Sequence, residues 1–219
     1  MSKLPSKEIE IQVKEGTLKG ILTIPKGAVG LVIFAHGSGS SRLSPRNQWV
    51  AAYLSDEGIA TLLFDLLTPQ EESVDDQTGE LRFDIPFLAK RLLTVTEWAA
   101  KSPTTKELRI GYFGASTGAA AALIAAASKP DLVDAVVSRG GRPDLALSHL
   151  SHVKSPTLLI VGGHDGPVIE MNQTAFNNLN CEKKLEIIPG ATHLFEESGA
   201  LEQVANMAKK WFIAHLSNQ

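Results

Sequence analysis

Four short stretches of this sequence combine side chains able to do chemistry with glycines that let a chain turn sharply. They are HGSGSS at 36–41, GASTG at 114–118, GGHDG at 162–166 and PGATHLF at 189–195. The second has the spacing G-x-S-x-G, with Ser116 between Gly114 and Gly118, and it joins an apolar run to a run of alanines. On a strand-to-helix turn this spacing is a nucleophile elbow. Such a turn forces the serine into an unfavourable backbone conformation and crowds the residues two before and two after it, which glycine relieves. The hydroxyl then stands at the carboxyl end of a strand beside the free N–H groups that open a helix. That is a place for chemistry on a developing anion.

A serine hydroxyl is a poor nucleophile until an imidazole can take its proton, and His193 offers one from a loop after the last strand. The imidazole in turn needs a group that orients it and balances its charge. Asp165, at the preceding strand end, can do both. Taken alone, an aspartate among glycines reads as a turn residue and a loop histidine as a surface one. Three such residues in the order Ser116, Asp165, His193, each after its own strand, read together as a Ser-His-Asp triad. The tetrahedral intermediate needs two backbone donors, expected from the N–H of Thr117 and that of Ser38 in HGSGSS. A phosphate-cradling reading of HGSGSS lacks the P-loop lysine and the third glycine of a dinucleotide fingerprint. His149 and His152, three apart with no carboxylate or cysteine cluster nearby, make a poor metal site, and none is expected.

The elements that must position these residues alternate along the chain. Lys7 to Val13 and Thr17 to Ile24 read as a hairpin, and strands follow at Gly30 to Ala35, Ile59 to Phe64, Arg109 to Phe113, Ala135 to Ser138, Thr157 to Val161 and Leu185 to Ile188. Helices are expected at Pro45 to Asp56, capped by Ser44, and at Phe83 to Ala100, Gly118 to Ser128, Val168 to Leu179 and Ala200 to His215. From Gly30 onward this is a repeated βα pattern, hence an α/β fold with a mostly parallel sheet and helices on both faces. Leu67 to Glu80, LTPQEESVDDQTGE, reads as an irregular acidic loop beside the expected pocket, able to close over it. Between Ser138 and Ser155 there is room for a short connection and none for a cap domain.

The composition narrows the function. At 219 residues and 43% hydrophobic content, residues 1–219 suit one domain. A formal charge of −3 with no basic stripe argues against nucleic acid, and Lys183-Lys184 and Lys209-Lys210 read as solvated faces. No apolar run is long enough for a membrane span, and the opening MSKLPSKEIE lacks a signal core, so a cytoplasmic location is expected. Cys181, the single cysteine, has no partner for a disulfide and reads as structural.

FAHGSGSS, GASTG, LLIVGGHD and IPGATHLF, in this order over almost the whole chain, resemble the α/β-hydrolase superfamily and, within it, the dienelactone hydrolase family. The resemblance implies an α/β-hydrolase fold without a large cap and hydrolysis of small carboxylic esters or lactones without a cofactor. Dienelactone hydrolases proper typically carry cysteine at the elbow where this sequence has Ser116, which favours a general serine esterase. An acyltransferase or perhydrolase would use the same triad, and a catalytically silent binding protein would be expected to have lost part of it. Arg42, Arg46, Arg139 and Arg142 lie in loops expected near the site mouth. Arg42 or Arg139 is the candidate to bind a substrate carboxylate, the alternative being ion pairs to the acidic Leu67 to Glu80 segment.

Overall fold

In the computed structural model, which describes residues 4–217, the apolar runs form the middle of one eight-stranded sheet. Its strands are β1 (Ser6–Val13), β2 (Gly16–Thr23), β3 (Leu31–Ala35), β4 (Ala60–Phe64), β5 (Ile110–Ala115), β6 (Ala135–Arg139), β7 (Thr157–Gly162) and β8 (Lys183–Ile188), in the spatial order β1-β2-β4-β3-β5-β6-β7-β8. The β1–β2 and β2–β4 pairings are antiparallel, and every pairing from β4 to β8 is parallel. Every residue of β3 to β7 is buried, as a sheet covered on both faces requires. Helices α1 (Pro45–Asp56) and α6 (Ala200–Leu216) cover one face, while α3 (Ile85–Ala99), α4 (Thr117–Ser128) and α5 (Gly166–Asn178) cover the other. Among the described residues no helix is long and apolar enough to cross a membrane.

Strand order decides where a site can form. From β3 the chain runs through α1 to β4 on one side, and from β5 it runs through α4 to β6 on the other. A crevice therefore opens between the carboxyl ends of β3 and β5, which is the usual binding place in such sheets. The alanines of α4 serve this geometry, because residues Thr117 to Ala126 are all buried between the sheet and its neighbours and a larger side chain would hold the helix off. Gly118 marks the closest approach. A Cβ there would lie 2.2 Å from the Ala35 carbonyl oxygen and 2.4 Å from that of His36, and one at Gly114 would lie 2.4 Å from the Cα of Ala119.

Two elements depart from the sequence reading. Leu67 to Glu80 is not an irregular loop, because residues Pro69–Thr78 form a helix, α2. Thr68 caps it in a reciprocal box with Glu71, Pro69 opens it, and Gly79 closes it in the left-handed conformation. It carries no apolar stripe; Asp75 is its one buried residue, so hydrophobic periodicity could not find it. A short 3₁₀ turn, Leu81–Phe83, then separates α2 from α3, whose N-cap is Asp84, so the helix expected from Phe83 starts later. Pro143–His152 is a 3₁₀ segment, the short connection without a cap domain that the sequence leads one to expect.

Ion pairs fasten α2. The Asp75 carboxylate, 2% exposed, accepts from the backbone N–H groups of Leu81 and Arg82 and from Nε of Arg82 at 2.6 Å. Glu71 pairs at 2.6 Å with Arg91, which is itself 4% exposed. Lys183, expected on a solvated face, turns inward and donates to the Phe176 and Leu179 carbonyls at the end of α5.

Two outcomes are expected. Gly118→Ala should lower Tm by at least 5 °C or prevent folding, since backbone atoms must move to admit one methyl group (roughly 1–3 kcal/mol or more for overpacking); an unchanged melt would contradict the packing. Asp75→Asn should lower Tm by roughly 3–10 °C at neutral pH through the loss of a buried acceptor. Burial alone would raise the Asp75 pKa, but the bonds from Arg82 and Leu81 outweigh it and hold the group below its ordinary 3.8. A depressed carboxyl contributes stability in full above the unfolded value and loses it as pH falls through the folded one. The Tm gap between wild type and Asp75→Asn should therefore narrow on acidification below about pH 4, and a constant gap would be inconsistent with this linkage.

Candidate active site

Ser116 follows β5 and opens α4 with φ +50°, a left-handed conformation that a non-glycine residue adopts only when its surroundings impose it. Neighbouring backbone holds it there. Its N–H donates to the Arg139 carbonyl at 3.2 Å, and its own carbonyl accepts from Arg142 and Ala119, each at 3.1 Å. The hydroxyl is thereby left pointing out of the turn, 3.3 Å from Nε2 of His193.

His193 Nδ1 lies 2.6 Å from the Asp165 carboxylate, so the imidazole donates through Nδ1–H and presents Nε2 as an acceptor to the serine. Asp165 stands at the N-terminus of α5, yet its side chain does not cap that helix and stays available to the imidazole. Gly162 lets the histidine loop settle on the end of β7, because a Cβ there would come within 2.4 Å of the Ala191 carbonyl oxygen. The loop is also tied to itself and to α1. Glu197 accepts from the N–H and hydroxyl of Thr192, and Glu196 pairs with Arg46 at 2.7 Å, so neither glutamate competes for His193. His164 is exposed.

Ser38 and Thr117 come together across the crevice. The N–H of Thr117 lies in the first turn of α4, where no intrahelical acceptor exists. The N–H of Ser38 donates to the Thr117 hydroxyl at 2.9 Å. Sequence reasoning passed over His36, which sets this loop. Its Nε2 accepts from the N–H of Leu66 at 3.1 Å, leaving Nδ1–H to donate to the Gly37 carbonyl at 2.9 Å, so the neutral ring staples the end of β3 to the end of β4. Burial pushes its pKa down and keeps that acceptor free of a proton, outweighing the opposite pull of Gly37 and Asp65. The only sequence sign of this role is its place directly after an apolar strand.

The arginines expected at the mouth mostly hold loops. Arg42 bonds Asp65 through both its backbone N–H and its guanidinium, and Arg142 forms a two-pronged pair with Asp144. Neither they nor Arg46 reach the acidic helix, whose carboxylates are met by Arg82 and Arg91 instead. Arg139 is 7% exposed and has no carboxylate partner among the described residues. Its Nη2 meets Asn47 at 3.5 Å, its guanidinium lies 5.9 Å from the Phe195 ring, and burial with the nearby Arg46 lowers its pKa to about 10. From Ser38 a cavity of about 560 Å³ extends to α2, with Glu72, Asp75 and Asp76 on its far wall.

The geometry brings a serine hydroxyl, an imidazole and a carboxylate into one hydrogen-bonded series, with the N–H groups of Ser38 and Thr117 beside it. The chain is 58% identical to dienelactone hydrolase from Anabaena variabilis, whose crystal structure superposes with a TM-score of 0.95 over 97% of this chain and 98% of that one. Est1E from Butyrivibrio proteoclasticus, at 18% identity and a TM-score of 0.80 over 94% and 98% of the two chains, shares the fold. Putative phosphoribosyl transferases from two strains of Mycobacterium tuberculosis are 56% identical over 214 residues, which are 97% of this chain and 47% of theirs. The chain thus spans about half the length of the curated relatives it matches. Residues 18–216 match the model of the dienelactone hydrolase family, and the chain belongs to that family.

Proposed function

We propose that this chain hydrolyses small carboxylic esters or lactones through an acyl-enzyme on Ser116. The observation that carries the reading is the continuous relay from Ser116 through His193 to Asp165, at 3.3 and 2.6 Å, on a strained elbow. Nε2 of His193 takes the hydroxyl proton as Ser116 Oγ attacks the acyl carbon, and Asp165 balances the resulting imidazolium. The N–H groups of Thr117 and Ser38 receive the oxyanion. Collapse breaks the bond to the leaving oxygen, which takes the proton from His193. Water then adds to the acyl carbon with His193 again as base, releasing the acid and restoring the serine. The His193 side chain is 37% exposed, which gives water a path to the acyl-enzyme. Serine at the elbow, in place of the cysteine of dienelactone hydrolases proper, supports an esterase of this type. The Mycobacterium tuberculosis relatives are named for phosphoribosyl transfer, and the match covers 47% of their length.

Substrate size follows from α2. Pinned by Asp75–Arg82 and Glu71–Arg91, it forms a wall of the cavity and offers no greasy lid. Enclosure in a dry tunnel is what makes each added methylene worth about 0.8 kcal/mol. Here that gain stops early.

Ser116→Ala is expected to reduce ester hydrolysis by roughly four to six decades and abolish labelling by a fluorophosphonate. Asp165→Asn and His193→Ala should each cost several decades, with no additive loss when combined with Ser116→Ala; labelling of a folded Ser116→Ala protein would refute the assignment. Across p-nitrophenyl esters, kcat/KM should peak between acetate and about hexanoate and fall beyond it. A preference for dodecanoate would show an apolar tunnel that this reading lacks.

A further inference from the structure

The cavity beside Ser38 has a polar lining. Ten of its seventeen residues have polar or ionisable side chains. Their commitments divide them. Arg82 is bound to Asp75 and Asp76, and Arg46 to Glu196, so each cation on the wall already faces a carboxylate. Glu72, in the first turn of α2, takes part in no ion pair or side-chain hydrogen bond among the described residues. The hydroxyls of Ser38 and Ser40 are equally uncommitted among the described residues. The wall therefore presents free hydroxyls, which donate and accept, and a free carboxylate, which only accepts.

Each ordinary substrate class can be set against that wall. A substrate carboxylate would face Glu72 and Asp76 with no uncommitted cation to meet it, a like-charge juxtaposition that costs affinity. An alkyl group would strip water from these polar groups and return no hydrogen bond, the costlier side of the exchange. A neutral group bearing several hydroxyls answers both needs, since each hydroxyl donates to Glu72 or accepts from a serine while the charge balance stays unchanged. Ser38, one of the two expected oxyanion donors, lines the cavity whereas Ser116, Thr117, Asp165 and His193 do not, so such a group would lie to one side of the scissile acyl bond.

We infer that the substrate is a neutral polyhydroxylated ester or lactone, such as the lactone of a sugar acid or an acylated sugar, with its hydroxyls seated among Ser38, Ser40 and Glu72. This inference rests on the hydrolase reading and refines it. The reaction is addition of water across the acyl C–O bond, so a lactone opens to its hydroxy acid and an acylated sugar yields sugar and acid.

The test compares kcat/KM of the full chain on glucono-1,5-lactone and δ-valerolactone, rings of the same size that differ in their hydroxyl-bearing substituents, each corrected for spontaneous opening. A second pair, an acetylated glucose and cyclohexyl acetate, places the hydroxyls on the alcohol side and so separates the two sources. At least one hydroxylated member should exceed its bare counterpart by roughly ten- to a hundredfold, and Glu72→Ala and Ser40→Ala should each shrink that ratio by raising KM for the hydroxylated member. If p-nitrophenyl acetate is cleaved but neither pair shows a preference, or the bare member wins in both, this inference falls and the esterase reading stands. If no ester is cleaved and no fluorophosphonate label is taken up, both fall. A preference that survives both substitutions unchanged would overturn the placement of the hydroxyls in this cavity.

Discussion

The molecule is organised around a steric contact: the first turn of α4 pressed against the end of β3, so close that a Cβ at Gly118 would lie 2.2 Å from the Ala35 carbonyl oxygen. Everything chemical in the crevice depends on that approach. It bends the chain at Ser116 into a left-handed conformation, brings the Thr117 N–H and the Ser38 N–H to opposite lips of one cleft, and leaves the serine hydroxyl with nowhere to point except outward. The run of buried alanines behind it is the other half of the same constraint, because only small side chains let a whole helix lie this close to a sheet.

Charge is used differently on the two sides of the crevice. Around the histidine loop the carboxylates Glu196 and Glu197 bind to partners of their own, which leaves Asp165 to orient His193. On the far side, Asp75 and Glu71 point inward to arginines and hold a helix with almost no apolar face. Packing fixes the sheet and α4, whereas ion pairs and caps fix α2. A carboxylate's position in the chain does not disclose which of these tasks it has.

That difference explains what could be read from the sequence. The strands and the helices with apolar stripes were legible because burial writes apolar runs and periods into the residues, and Ser116, Asp165 and His193 stood out because each follows a strand and carries its own glycines. The helix α2 was missed since its stability lies in Thr68, Glu71 and Gly79, residues that a loop would also use, and in arginines outside the segment. The arginines were harder still. Nothing local separates Arg42, which turns to Asp65, from Arg139, which runs beneath Phe195 without a carboxylate, and only the tertiary fold assigns their neighbours. His36 belongs with them, since its two hydrogen bonds join residues thirty apart and one apart in the chain.

The bond from the Ser38 N–H to the Thr117 hydroxyl bears on how selectively the proposed site would act. A donor waiting empty in a partly dry crevice would grip any carbonyl oxygen and so stabilise bound substrate as much as the reaction's summit. Here the donor is already satisfied, and an arriving oxygen must displace a hydroxyl of about equal accepting power. For a neutral carbonyl that exchange is close to even. For an oxyanion it is favourable, because hydrogen bonds to a charged acceptor are roughly twice as strong. The threonine would therefore act as a threshold, passing over the ground state and yielding to the tetrahedral intermediate, which is the differential binding that raises kcat in place of lowering KM.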